Sequence, residues 1–328
     1  MPVKTHDINP NPRFTLYLIE KSVFLTSPLV VVDVGSRGGF EKQWDLYGDQ
    51  IQLTGFEASE KECIRLRQEE KRLNRVHYPF ALDRKKGHRD LNIQPHISSS
   101  SFYESNPDFL YRFCDGWEDL IPESTESVQT IDLDSFVEKN GIQYVDFIKL
   151  DTEGAELDIL KGAAKTLKSV LGLSTEAVFV SWRKKMPTFT DVDLFLRSLD
   201  FVLYDLPVFR WARGTLSPQM FANRVPGPTP YGQTIWTQAI YFRDCVAETE
   251  LPGGWDKWNV ARILKQASIM ELYNLQDCAM ELVQFAFDCG LLSLRERDLF
   301  TDLLVPPLNG QIVTYEQYKD YLKKNNNR

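Results

Sequence analysis

Continuous apolar runs alternate with stretches of helical periodicity along the first 245 residues. Leu29-Val30-Val31-Val32-Asp33-Val34 is a β-branched run that ends in Gly35. Continuous rather than alternating hydrophobicity marks a strand covered on both faces, as in a parallel sheet. Ile51–Phe56, Val145–Leu150, Gly172–Val180 and Phe201–Leu206 have the same character, and Ala239–Phe242 predicts a further short strand. Between the runs, apolar residues recur at helical spacing. Phe14, Tyr17, Leu18, Lys21, Phe24 and Leu25 predict a leading helix over 13–25. Leu157, Leu160, Ala164 and Leu167 predict another, and Val192, Phe195, Leu196 and Leu199 a third.

Strands alternating with helices predict βαβ units, and right-handed crossovers then give an α/β fold with a doubly wound, mostly parallel sheet. The pattern changes after Cys245. Pro252-Gly253-Gly254 interrupts it, and then Val260, Ile263, Leu264, Ala267 and Met270, followed by Leu275, Ala279, Leu282, Val283 and Ala286, repeat at helical spacing. Residues 255–323 therefore predict a C-terminal extension of two or three helices that covers the sheet or joins two copies of the chain. The expected organisation is a helical lead over 1–28, a ligand-binding domain over 29–245 with an insertion at 207–238, and a helical extension over 246–328.

Composition narrows the class. The net charge of -8 argues against sequence-independent binding along a nucleic-acid backbone, which needs a basic face. No apolar run approaches the roughly 18 residues of a membrane-spanning helix. The polar, proline-broken segment Met1 to Pro12 does not read as a secretory signal. The five cysteines are odd in number and form no CxxC pair, so neither a disulfide framework nor a zinc site is expected. A cytoplasmic location fits that usage.

The chemistry collects where buried strands end. Asp33-Val34-Gly35-Ser36-Arg37-Gly38-Gly39-Phe40 places a glycine turn directly after the first run. Such a turn brings backbone close to a ligand and delivers it to a helix N-terminus. The dinucleotide fingerprint GxGxxG is absent, which disfavours a nicotinamide dehydrogenase. Asp33 suits a ligand bearing an amino group better than a pyrophosphate. Gly55-Phe56-Glu57-Ala58 ends the next run, and an acid there, about 20 residues past the turn, can accept both ribose hydroxyls. The pair describes an adenosine with an amino-acid tail, the shape of S-adenosylmethionine. A third segment, Tyr144 to Glu156, places Asp151, Glu153 and Glu156 around the end of another buried strand.

Asp146-Phe147-Ile148-Lys149-Leu150-Asp151-Thr152-Glu153-Gly154-Ala155-Glu156, followed by Ile159-Leu160-Lys161-Gly162-Ala163, resembles the signature of FkbM-type methyltransferases. Other segments fall in that family's order. Asp33-Val34-Gly35 resembles the start of its glycine loop, and Phe56-Glu57 follows. Asn74 to Asn92 resembles a strand pair around the turn Ala81-Leu82-Asp83. Ser99-Ser100-Ser101-Phe102 resembles the serine loop, and Thr130 to Phe136 with Leu133-Asp134 precedes the signature. The resemblance covers about residues 29–206. It departs at Arg37, where the family's loop usually carries Asn. It implies a class I, Rossmann-like fold and O-methylation, commonly of sugar or polyketide hydroxyls. The cofactor residues it implies, together with the two motifs above, are Asp33, Gly35, Ser36, Arg37, Gly39, Glu57, Ala58, Ala81, Leu82 and Asp151.

Methyl transfer to a hydroxyl gains from positioning and from a base that removes the proton late in the step. Asp151, Glu153 and Glu176 are the candidates to be that base or to position the acceptor. Glu156 reads as an acid paired with a helix N-terminus. The same carboxylates offer an alternative role as Mg²⁺ ligands, ranked below the metal-free reading. His77, His88 and His96 are placed behind the carboxylates as bases. Trp182-Arg183-Lys184-Lys185 and Phe209-Arg210-Trp211-Ala212-Arg213 read as aromatic–basic clusters overhanging the site, fit for a glycan or anionic sugar conjugate. Residues 207–238 read as a lid. Competing readings are a methyltransferase of lipid or polyketide hydroxyls, and a catalytically silent cofactor-binding or assembly subunit. The acceptor is expected to be a small molecule or glycan, with the C-terminal helices offering a homo-oligomer contact.

Overall fold

The six residues Leu29–Val34 form strand β1, five of them buried, as expected for a strand covered on both faces. The computed structural model describes residues 6–113, 117–211, 213–215 and 232–325. Two compact units divide the chain.

The larger unit comprises Val30–Phe40 and Gln52–Arg243. Its main sheet contains β2 (Ile51–Phe56), β3 (Arg75–Tyr78), β7 (Phe147–Leu150), β8 (Gly172–Val178), β9 (Phe201–Asp205), β10 (Val208–Trp211) and β11 (Gln233–Arg243) beside β1. The order is β10-β11-β8-β7-β1-β2-β3, with β9 also pairing to β11. β1 pairs β7, β7 pairs β8 and β2 pairs β3 in parallel. The chain therefore winds outward from β1 to β3, then returns on the other side of β1 at β7. The direction of winding reverses between β1 and β7, where open α/β sheets bind ligands beyond their carboxyl ends.

Helices α2 (Glu60–Glu69), α5 (Glu156–Lys161) and α6 (Phe189–Arg197) follow β2, β7 and β8. α3 (Pro107–Leu110) is a single turn, and α4 (Leu133–Lys139) precedes β7 and is capped by Asp132, whose side chain accepts from the Ser135 N–H. Val32, Phe56, Ile148, Leu150, Leu160 and Leu196 meet in one core.

Several sequence expectations change here. The helix expected over 157–167 stops at Lys161. A side chain at Gly162 would overlap the Asp83 carbonyl, so only glycine lets the backbone pass there. The strand pair expected over Asn74 to Asn92 is split between two sheets. β3 joins the main sheet, while β4 (Ala81–Leu82) and β5 (Gly87–Ile93) flank β6 (Ser124–Ile131) in a separate three-stranded sheet. The short strand expected at Ala239–Phe242 is 11 residues long and antiparallel to β8, β9 and β10. Its polar first half hid it. Gln238 is buried there because its amide donates to Leu150 O and Ser174 Oγ. Val208–Trp211 and Gln233–Gln238 are thus sheet strands. The lid reading falls mainly on 216–231, which lie outside the described residues, as do Ala212 and Cys114.

The second unit gathers Met1–Leu29, Glu41–Ile51 and Asp244–Arg328. α1 (Arg13–Glu20) is shorter than the expected 13–25 because the chain turns at Ser22, which has φ 56. α7 (Cys245–Thr249) leads to α8 (Val260–Leu272), α9 (Gln276–Asp288), α10 (Leu294–Leu304) and α11 (Tyr315–Asn325). The extension thus has more helices than the expected two or three. Positive φ at Asn274 and Gly290 separates α8, α9 and α10. α11 buries no side chain, so no apolar stripe announced it.

Pro12 gives α1 no side-chain cap, and Glu271 of α8 supplies one from elsewhere in the unit. Its carboxylate accepts from the Phe14 N–H at 3.0 Å, the Thr15 N–H at 2.7 Å and Thr15 Oγ1 at 2.7 Å. No helix among the described residues is long and apolar enough to cross a membrane. Cys63, Cys245, Cys278 and Cys289 are free thiols.

Candidate active site

The crevice is built where β1 and β7 end side by side. Asp33 and Lys149 are register partners, and Asp33 is buried. Lys149 Nζ lies 3.4 Å from Asp33 Oδ1 and 3.4 Å from Asp151 Oδ2, so one ammonium bridges two carboxylates. Burial raises the Asp33 carboxyl above its usual range, with Lys149 opposing that shift. Lys149 stands within the signature, yet the sequence reading gave it no role. The available signal was a lysine inside a buried strand, which requires a carboxylate partner.

Gly35 has φ +82, and a side chain on it would overlap the Asp151 carbonyl. This glycine is what lets the β1 turn pack on the end of β7. The turn was expected to offer N–H groups and a helix N-terminus to a ligand. Instead the N–H groups of Gly35 and Ser36 both donate to Phe56 O at 3.0 Å, Gly39 N–H donates to Ser36 O, and Gly38 N–H donates to Glu62. The chain then enters 3₁₀ turns over Lys42–Gln50 rather than an α-helix. The loop therefore presents shape more than donors, because its own folding consumes them.

Glu57 lies buried at the end of β2. It accepts from the Ser59 N–H at 2.8 Å and from Arg37 at 3.3 Å, both on Oε1. Burial raises its pKa, and Ser59 and Arg37 oppose the rise. Arg37 braces Glu57, a contact that was not anticipated for it. Ala58 follows half-buried, and Ala81 and Leu82 form β4. Leu82 packs in the core beside Phe56 and Leu133, so only its backbone can face a ligand.

Beyond β7 the chain turns through Glu153 and Gly154, with φ 59 and 113. Ser101 Oγ donates to Glu153 O at 2.6 Å, which ties the serine loop to this turn. Glu156 accepts from the Thr152 N–H and from Thr152 Oγ1, both at 2.8 Å. It closes the turn at the start of α5, and burial lifts its pKa to about 7. Asp151 is the exposed member, its side chain 44% accessible. Glu176 sits in β8, all seven residues of which are buried. Burial first, then the carboxylates of Glu153, Asp151 and Glu156, push its pKa well above the usual value. The fold thus gathers Asp151, Glu153 and Glu176 around one point.

The aromatic–basic clusters do not overhang that point as expected. Arg183 is wholly buried and donates to Glu153 Oε2 at 2.8 Å and to Ser99 O at 2.7 Å. Trp182 and Trp211 meet edge to face, with ring centroids 5.1 Å apart, in a cluster with Phe113, Val178 and Ile235. Phe209 stacks on Trp236 at 4.0 Å. These rings fill space against one another because uncovered tryptophan costs more than a surface loop can return. Lys184 and Lys185 are exposed, and Phe209, Arg210 and Arg213 are half-buried. His77 is buried behind the glycine loop, while His88 and His96 are exposed. Among the described residues no three His, Cys, Asp or Glu side chains form a metal-holding group.

The α/β sheet thus brings a glycine turn, an acid on the neighbouring strand and carboxylates to its switch point. The Methyltransferase FkbM domain family matches residues 37–203, about half of the chain, and the protein belongs to that family. No curated protein matches it. Among solved structures it is similar to the magnesium protoporphyrin IX methyltransferase of Synechocystis with bound SAM. That pair has 9% identity and a TM-score of 0.32, and the match covers 71% of this chain and 80% of that one. It is also similar to a SAM-dependent methyltransferase of Anabaena variabilis, with 10% identity and a TM-score of 0.33, covering 74% and 99%.

Proposed function

We propose that this methyltransferase binds S-adenosylmethionine at the β1–β7 crevice and methylates a hydroxyl, most naturally that of a sugar or glycan. The observation that carries the reading is Glu176, buried in β8, whose pKa is raised by that burial first and then by the carboxylates of Glu153, Asp151 and Glu156. The residues present fit the cofactor. Glu57 Oε2 offers an acceptor for a ribose hydroxyl, and Asp33 offers one for the amino group. Gly35 lets the β1 turn close on the Asp151 carbonyl. When bound, the cofactor supplies an electrophilic methyl group.

Glu176 is the base in this reading. Burial and the neighbouring carboxylates raise its carboxyl well above the usual range, so its ionised form is a stronger proton acceptor than an ordinary carboxylate. Glu153, fixed by Arg183, and Asp151, at the exposed lip, orient the acceptor hydroxyl. A polar acceptor suits these groups. Near the site, Trp182 packs edge to face on Trp211 and Phe209 stacks on Trp236.

The test is Glu176→Gln assayed with isotopically labelled methyl donor on glycan extracts, alongside calorimetry with S-adenosylhomocysteine. Turnover should fall by about 100-fold or more while affinity for the product cofactor stays within about twofold. Unchanged turnover at saturation removes Glu176 as the base. Failure of the wild type to bind either cofactor form removes the whole reading.

A further inference from the structure

We infer that His77 is a positioning residue for the cofactor loop, clamping both ends of the bend from Ser36 to Phe40 against strand β3. The inference rests on the cofactor reading above for its consequence, but its geometry stands alone. Ser36 Oγ and His77 Nδ1 are 2.9 Å apart, and both residues are buried. Phe40, at the far end of the loop, stacks on the same imidazole with centroids 4.2 Å apart and planes at 22°. One ring thus touches the first and last residues of the loop.

The contact depends on a glycine on the intervening strand. Gly55 is the register partner of His77 in the β2–β3 pair. A side chain at Gly55 would lie 2.7 Å from Ser36 Oγ and would overlap the imidazole. Its absence opens the gap through which Ser36 and His77 meet. The ring's own backbone is pinned as well, since Arg67 Nε donates to His77 O at 2.6 Å.

The ring is suited to holding rather than to proton transfer. Burial lowers its pKa to about 4. Around it, Arg65 and Arg67 of α2 oppose a proton, while Glu62 of α2 and the following Glu70 favour one. The imidazole is therefore neutral at physiological pH, and the Ser36 hydroxyl can donate to Nδ1 or accept from it. His77 Nδ1 is already engaged by the Ser36 hydroxyl, and Phe40 covers the face of the ring. The gain is preorganisation: a loop held in its bound shape spends less binding energy on ordering.

Two measurements test this. In the cofactor-free protein, amide hydrogen exchange at Gly39, whose N–H is bonded to Ser36 O, is compared between wild type, His77→Ala and Ser36→Ala. Both variants should exchange at least about tenfold faster there, as expected when one net hydrogen bond that holds the loop is lost. Unchanged exchange overturns the proposal whatever the cofactor is. In the loaded enzyme, His77→Ala should raise the S-adenosylmethionine KM and the S-adenosylhomocysteine Kd about tenfold, with kcat changed less than about twofold. His77→Asn, which keeps a polar atom near the Nδ1 position, should recover part of that affinity. Adding Ser36→Ala to His77→Ala should cost little more than either alone. Lower thermal stability with unchanged Kd and KM, or a fall confined to kcat, overturns it. Wild type that binds neither cofactor form sinks the functional reading, while the exchange result still decides the clamp.

Discussion

Arg183 Nη2 lies 2.8 Å from Glu153 Oε2, and the arginine side chain is wholly shut off from solvent. The pair joins the end of β8 to the turn after β7, and the same nitrogen reaches Ser99 O in the serine loop. Three segments distant in the chain are thereby held around one guanidinium.

Breaking that pair from one side should be costly. Arg183→Met leaves Glu153 partly buried without its counter-ion, and unfolding stability should fall by about 3–5 kcal/mol. Adding Glu153→Gln removes the stranded charge. The double variant should therefore be more stable than Arg183→Met alone. Denaturant titration of the wild type and the two variants measures both effects. A double variant no more stable than the single one would contradict the pairing.

Glu156 makes stability depend on pH. Its folded pKa of about 7 stands above the ordinary 4.5, so the folded chain keeps a proton that the unfolded chain loses between those values. Its contribution is complete below 4.5 and is lost as pH rises through about 7. Glu156→Gln keeps the acceptor for Thr152 without a titrating proton. Thermal melts from pH 5 to pH 8 should show a smaller fall in stability for the variant than for the wild type. Identical slopes would count against the raised pKa.

The Glu271 cap on α1 predicts a local loss. Glu271→Ala leaves the Phe14 and Thr15 N–H groups and the Thr15 hydroxyl without their acceptor. The cost should be about 2 kcal/mol, concentrated in faster amide exchange at residues 14 and 15. Glu271→Gln keeps one acceptor oxygen and should lie between the two. Exchange that is unchanged at 14 and 15 would show that the cap carries no stability.

Much of the fold was legible because its strands are continuous apolar runs, and burial on both faces needs no partner information to recognise. β1, β2 and the core of β7 were readable in that way. β11 was not, since Thr234, Thr237 and Gln238 read as polar until Leu150 O and Ser174 Oγ are brought alongside to satisfy the Gln238 amide. Nor was the need for glycine at the end of α5 legible, since what a side chain at Gly162 would meet is the carbonyl of Asp83, distant in the chain.

At the site, the chain's order of residues determined which chemical groups arrive at strand ends: Asp33 in the last pleat of β1, Glu57 after β2, Asp151 and Glu153 after β7. Spacing along a strand is local, so it can be read directly. Tertiary structure alone decided the partners. It bridged Asp33 and Asp151 with Lys149, turned Arg183 inward to Glu153, buried Trp182 and Trp211 against each other, and set His77 behind Ser36. Ion pairs and desolvation act over a few ångströms of space between distant parts of the chain, a distance that one-dimensional order does not record.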